Sequence, residues 1–246
     1  MKIKGYLKRK IMVFKLLKKI EQLNIENAGI DDEMPYVKLK NDFIFYGKST
    51  PQNKRKYYHF LSKNVRSTIP VECFSIAMDI IIRYQESGLM WGGPKKETFY
   101  QVKKDDVVSE MGAYMGYYSM KLSKKVGNLG KVVAIEPITD NYKILKKNAT
   151  ENKLSNICIV EKGVWNSPTK LDFYKKRNDN QSSSIDKKLM GNEQYVIDVD
   201  SLDNIYNENS IKNLDFVVIQ LNGAEYEALK GLTKYYPKHL AIAARY

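Results

Sequence analysis

From Asp105 onward the chain alternates short apolar runs with stretches in which apolar residues recur at helical spacing. Val107 and Val108 suit a buried strand, and Tyr118, Leu122 and Val126 recur at every fourth position to form one helical face that Gly127 terminates. Residues 131–135 form a second apolar run. Pro137, Thr139 and Asp140 open a helix carrying Tyr142, Leu145 and Ala149. Residues 157–160, 216–221 and 240–243 read as third, fourth and fifth core strands, with a helix predicted over 225–232. Near-continuous apolar strands alternating with helices predict an α/β fold: a Rossmann-like, doubly wound parallel sheet with helices on both faces.

The pattern differs before residue 105. Residues 36–40 and 43–46 flank Asn41-Asp42 and predict a hairpin, residues 72–84 carry a helical pattern, and residues 88–94 predict a loop. Residues 170–174 and 195–199 read as strand additions around a polar loop at 178–184, whose serines are a candidate acceptor-facing run or simply a solvated loop. The expected division is an α+β extension over 1–95 and a main domain over 96–246.

Charge adds a second feature. The net charge is +13, and residues 1–20 hold Lys2, Lys4, Lys8, Arg9, Lys10, Lys15, Lys18 and Lys19 with no acid. Interleaved with Ile3, Leu7, Ile11, Phe14 and Leu17, they predict a basic amphipathic helix. It would lie on an anionic membrane surface or nucleic acid, or pack on the domain as a solvated surface helix. Residues 54–60 mix bases and aromatics as single-strand binders do, and equally as a helix start does. No apolar stretch reaches transmembrane length, so the expected location is cytoplasmic, whether soluble or peripheral. Cys73 and Cys158 lie far apart and read as reduced, buried thiols. With only His59 and His239, no His-rich metal site is expected.

The candidate chemistry lies between Glu110 and Glu136. Gly112 and Gly116 suit a turn whose backbone approaches a ligand closely, and Glu136 ends the second strand, where open α/β sheets grip ribose hydroxyls. A carboxylate suits a diol because it only accepts hydrogen bonds and the diol offers two donors. A nicotinamide dinucleotide site wants Gly-x-Gly-x-x-Gly against a helix N-terminus, whereas this chain has Gly112-x-x-x-Gly116 led by an acid. Glu110 would repel a pyrophosphate and accept from an ammonium group. S-adenosylmethionine offers the ammonium and the ribose and has no phosphate, so it explains both acids.

These residues, with Val133-Ala134-Ile135-Glu136-Pro137, Asn148 and Asn152, Asp200-Ser201-Leu202-Asp203 and Gly223-Ala224-Glu225 in that order, resemble the FkbM family of class I S-adenosylmethionine-dependent methyltransferases. The resemblance covers roughly the last 140 residues. It implies O-methylation of a hydroxyl-bearing small molecule or glycan, commonly at a sugar hydroxyl. It implies cofactor contacts at Glu110, Gly112, Ala113, Tyr114, Gly116, Glu136 and Gln220. The family pattern departs at three places. Asp is usual where Glu110 stands, and Asp-x-Glu-Gly-Ala-Glu reads here Gln220-Leu221-Asn222-Gly223-Ala224-Glu225, which leaves Glu225 as the nearby candidate base or a helix-start residue. The sheet is also expected to lack the last strands of the class. Two alternatives stay open: a catalytically impaired or non-catalytic binding protein on the same fold, and a nicotinamide-dependent oxidoreductase.

Overall fold

The computed structural model describes residues 18–52, 69–87, 95–175, 183–184 and 193–243. The readings of the basic segment up to residue 17, of 54–60, of the loop at 88–94 and of most of 178–184 therefore lie outside the described residues. Two compact units divide at Gln85 and Glu86. The boundary precedes the expected 95/96 because Ser87, Lys96 and Glu97 bond within the second unit. Lys96 N–H donates to the Ser87 carbonyl at 2.8 Å and Lys121 Nζ to its hydroxyl at 2.7 Å.

In the first unit, β1 (Ile25–Asp31), β2 (Met34–Leu39) and β3 (Ile44–Tyr46) form an antiparallel meander. The β2–β3 hairpin is the predicted one. β1 escaped the sequence reading because Glu26, Asn27, Gly29 and Asp31 leave it too few apolar residues to show a strand pattern. Asp32 and Glu33, both at positive φ (46° and 63°), turn the chain from β1 to β2 in the sense that matches strand twist. Val37 and Leu39 point inward from β2. A 3-10 turn (Val71–Cys73), α1 (Phe74–Asp79) and a π-helical turn (Ile80–Gln85) follow one another over the predicted helical stretch. Burial pushes the Cys73 thiol up to about 11, and its Sγ donates to the Gly29 carbonyl, so it is an inert core group.

The second unit is built on a five-stranded parallel sheet of β4 (Val107–Met111), β5 (Lys131–Ile135), β6 (Ile157–Val160), β11 (Phe216–Ile219) and β12 (His239–Ile242), in the order β12-β11-β4-β5-β6. Crossover helices are α2 (Tyr117–Val126), α3 (Thr139–Glu151), α4 (Leu202–Glu208) and α5 (Glu225–Lys230). Strand alternation divides them between two faces. Val108, Val132, Phe216 and Val218 pack against Tyr118, Leu122 and Val126 of α2, and Ala134 against Leu145 of α3. Met111, Val133, Ile135, Val217 and Ile219 pack on the other face against Leu202, Ile205 and Tyr206 of α4 and Ala228 of α5. Each fully buried Val, Leu or Ile contributes about 1.5–3 kcal/mol, so the sheet interior dominates the stability of this unit.

Between β6 and α4 the chain adds a second sheet from β7 (Gly163–Val164), β8 (Thr169–Lys175), β9 (Ser183–Ser184) and β10 (Glu193–Asp200). β8 and β10 pair antiparallel, Phe173 opposite Tyr195, as the two predicted additions required. Their inner residues Phe173, Ile197 and Val199 pack on Ile138, two residues beyond Glu136.

Asp200-Ser201-Leu202-Asp203 is a structural joint. The Ser201 hydroxyl caps α4 by accepting from Asn204 N–H at 3.2 Å, and Asp200 accepts from Ser201 N–H and Lys162. Asp203 accepts from the N–H groups of Thr233, Lys234 and Tyr235 and from the Thr233 hydroxyl. Burial works to raise the Asp203 carboxyl, but these donors outweigh it and hold it below its usual 3.8. Because folding depresses this pKa, the stabilisation is present above pH 3.8 and is lost as pH falls through the lower folded value. Asp203→Asn is expected to lower stability at neutral pH by about 1–3 kcal/mol, since part of the donor set is left unmet. In urea unfolding curves taken from pH 7 downward, the gap between wild type and variant narrows once the pH passes below the ordinary carboxyl range.

Candidate functional site

The candidate site lies at the carboxyl ends of β4, β5 and β11, where the parallel strands deliver Met111, Ile135 and Ile219 side by side. The chain leaves β4 through a tight loop in which Gly112, Tyr114 and Gly116 all take positive φ (76°, 56° and 82°). Two bonds seat it, since the Gly112 and Ala113 N–H groups both donate to the Ile135 carbonyl at 3.0 Å.

The glycines are required by the protein's own packing. A Cβ on Gly112 would stand 2.3 Å from the Gln220 carbonyl oxygen, and one on Gly116 would stand 2.1 Å from Leu145 Cδ1. Close approach was the correct physical reason for glycine, but the partners are β11 and α3. Gln220, expected at the cofactor, is thus pinned to the loop by its backbone, with its N–H donating to the Met111 carbonyl at 3.2 Å.

Glu136 sits at the end of β5 as expected and is 4% exposed. Its Oε2 accepts from Tyr114 N–H at 2.8 Å, and its Oε1 accepts from Ile138 N–H and from Asn141 Nδ2, both at 3.1 Å. One carboxylate therefore joins the glycine loop, the strand end and the start of α3. Met115 is held from the other side, its carbonyl accepting from Asn148 Nδ2 at 2.8 Å, which gives the Asn148 of the sequence pattern a definite task.

Glu110 departs from its expected role. It is 2% exposed and turned toward α2, where Oε1 accepts from Lys96 Nζ and Oε2 from the Ser119 hydroxyl, each at 2.6 Å. The ammonium it demanded is supplied by the chain itself. A carboxylate in the middle of a buried sheet face has no water to solvate it, so a cation and a hydroxyl must accompany it. Lys96 also lies 4.1 Å from the Tyr118 ring centroid, a cation–π contact on the same face. Burial, then the nearby Glu97 and Glu110 charges, raise the Tyr118 phenol well above its ordinary value and keep it neutral. Lys96, Ser119 and Asn141 were missed by sequence reasoning. Only the strandward position of Glu110, which makes a buried partner obligatory, could have prompted the search.

Glu225, the candidate base, also faces the backbone. Its Oε1 accepts from Leu221 N–H at 3.1 Å and its Oε2 from Gly223 N–H at 2.8 Å, closing the turn in which Asn222 takes φ 55°. These are the contacts of a turn cap at the start of α5, and they engage both oxygens. Cys158, read as buried, is half-buried and donates to Asn209 Oδ1 at 3.0 Å, with burial raising its thiol pKa.

The pairing of Lys96 and Glu110 generates a stability prediction. Lys96→Met removes the cation and leaves a buried charge, and is expected to cost about 3–5 kcal/mol, whereas Lys96→Met combined with Glu110→Leu costs clearly less than the sum of the two single variants. Chemical denaturation of the four proteins measures that coupling, and strictly additive losses would contradict it.

Among curated proteins, none matches the chain. Its matches among solved structures include methyltransferase FkbM from Methylobacillus flagellatus KT, at 16% identity over 73% of this chain and 44% of that one, with a TM-score of 0.40. A SAM-dependent methyltransferase from Aquifex aeolicus matches at 19% identity over 58% and 57% of the two chains, with a TM-score of 0.34. Aeropyrum pernix fibrillarin, solved with natively bound S-adenosyl-L-methionine, matches at 11% identity over 80% and 66%, with a TM-score of 0.30. The chain thus spans under half the length of the Methylobacillus protein. The family assignment rests on the sequence profile: the methyltransferase FkbM domain matches residues 110–241, from the acid of the first core strand to the fifth strand, and the chain belongs to the FkbM methyltransferase family.

Proposed function

We propose that this chain binds S-adenosylmethionine at the ends of β4, β5 and β11 and transfers its methyl group to an oxygen, the acceptor being a sugar or related hydroxyl compound. The single observation that carries the reading is the placement of Glu136, a buried carboxylate at the end of the second parallel strand, bound directly to the backbone of the glycine loop. That placement suits a ribose, while Glu110, turned into the core and paired with Lys96, does not bear on the charge of the ligand.

When bound, the sulfonium supplies a methyl group already activated for displacement, leaving a neutral thioether. The residues of this chain then have positioning to perform. Gly112 and Gly116 allow the loop to lie flat against β11 and α3, the Glu136 carboxylate fixes the loop's height over the sheet, and Glu225 holds the turn after β11. Orientation alone lowers such a barrier by about 7–11 kcal/mol, so the amides Gln220 and Asn222 in place of the family acids are compatible with turnover. For the acceptor, an open depression on the β8–β10 sheet is lined by Trp165, Tyr174, Lys170 and Asp172, with Leu171 and Val196. Aromatic faces beside charged donors and acceptors suit the apolar face and the hydroxyls of a sugar.

A second reading, a cofactor-binding protein without turnover, is favoured by one observation: Glu225, the remaining acid of the post-β11 motif, is engaged by two backbone N–H groups. Calorimetric titration with S-adenosylhomocysteine is expected to give micromolar binding that Glu136→Ala abolishes, and reduced nicotinamide dinucleotide should produce no fluorescence quenching. Labelled methyl transfer to a panel of glycans then separates the enzyme from the silent binder. A folded chain that binds neither S-adenosylmethionine nor its demethylated product rules out both readings.

A further inference from the structure

Ile138 stands where the two sheets of the second unit meet. It is the N-cap residue of α3, its N–H donates to Glu136 Oε1 at 3.1 Å, and its carbonyl accepts from Tyr142 N–H at 2.9 Å to start the helix. Its side chain is buried in a cluster with Phe173, Ile197 and Val199. Those three come from β8 and β10, so Ile138 is the one buried member of this cluster that the joint between β5 and α3 contributes. A single residue therefore plugs the core of the second sheet with its side chain while its N–H holds the carboxylate at the glycine loop.

Trp165 and Leu171 extend the same contacts to the surface. Both are partly buried against the Ile138 cluster, and both line the open depression on the β8–β10 sheet. The Trp165 backbone is fixed, since its N–H donates to the Asp200 carbonyl at 2.9 Å and a Cβ on Gly231 would stand 2.4 Å from its carbonyl oxygen. A shift of Ile138 is then felt by the indole. At the other end, the Tyr114 N–H ties the glycine loop to Glu136 Oε2 at 2.8 Å. Close-packed interiors have few voids to absorb a displacement, so they pass it on.

We infer that Ile138 is a positioning residue that links the cofactor site to the depression. A ligand that orders the glycine loop fixes Glu136 through the Tyr114 N–H, Glu136 fixes Ile138, and Ile138 sets the wall that Trp165 and Leu171 form. The linkage rests on the proposed S-adenosylmethionine site, and it needs no contact of the ligand with Ile138 or with a further position on Glu136. By reciprocity, an acceptor seated in the depression changes cofactor affinity by the same factor as the cofactor changes its own.

The test uses the full chain carrying Trp91→Phe, in which Trp165 is the remaining tryptophan. S-adenosylhomocysteine is titrated by calorimetry and by Trp165 emission, in that reference protein and with Ile138→Val, Ile138→Ala or Ile211→Ala added, each checked for folding by circular dichroism. Ile211→Ala makes the same deletion in the core that precedes β11. In the reference protein, saturation should shift the emission with the calorimetric midpoint. Ile138→Ala should weaken binding by about tenfold, within the range usual for coupled sites, and lose the shift at saturation. Ile138→Val should restore most of both, and Ile211→Ala should leave both unchanged. An emission that stays constant at saturation in the reference protein overturns the inference. So does a full shift in saturated Ile138→Ala, which would mean that the ligand reaches Trp165 without Ile138. Should Ile138→Ala not fold, Phe173→Leu loosens the same cluster from β8 and takes its place, with the same expected and overturning results. If the folded reference protein binds no S-adenosylhomocysteine, the cofactor reading itself fails, and the linkage with it.

Discussion

The second unit depends on a carboxylate that accepts from three directions. Glu136 receives the N–H of Tyr114 from the glycine loop, the N–H of Ile138 from its own strand end and the amide of Asn141 from α3. Each partner is a donor, so no neutral amide could replace the acid: a glutamine would turn an N–H₂ group toward one of them. With the carboxylate in place, the left-handed loop has a fixed height, α3 has a fixed starting point, and Ile138 is delivered to the core of the β8–β10 sheet. Local strain in the loop is tolerable because the surrounding bonds determine it from several sides.

The second acid of the same stretch has the opposite fate. Glu110 enters the sheet interior with Lys96 and Ser119, and the segment before β4 is thereby fastened to α2. Glu97 continues the join, accepting from Val102 N–H and from Lys125. A buried pair of this kind contributes little net stability over an apolar pair of the same shape, because desolvation offsets most of the attraction. Its consequence is positional: Lys96 and Glu97 tie the segment before β4 to Ser119 and Lys125 of α2 through buried carboxylates.

The acids near β11 show how a turn can survive the loss of a motif's charges. Glu225 closes the Gln220–Ala224 turn, and the left-handed Asn222 and Gly223 (φ 55° and 112°) let the chain reverse into α5. A position that looks catalytic in a linear motif is here a backbone cap.

The sequence by itself determined the five core strands, the α2 and α3 faces, the stop at Gly127 and the position of Glu136. Each of these follows from local periodicity and chain order. The periodic apolar residues were legible because one side of every strand and helix must be buried. β1 was not legible, since a half-exposed edge strand with polar residues leaves no such pattern. What only the tertiary structure decided was partnership: that Glu110 meets Lys96 rather than a ligand, that Gly112 answers to Gln220, and that Glu225 caps a turn. A sequence states which groups need a donor, an acceptor or space. Which group meets that need depends on where distant segments cross, and that is settled only when the chain has packed.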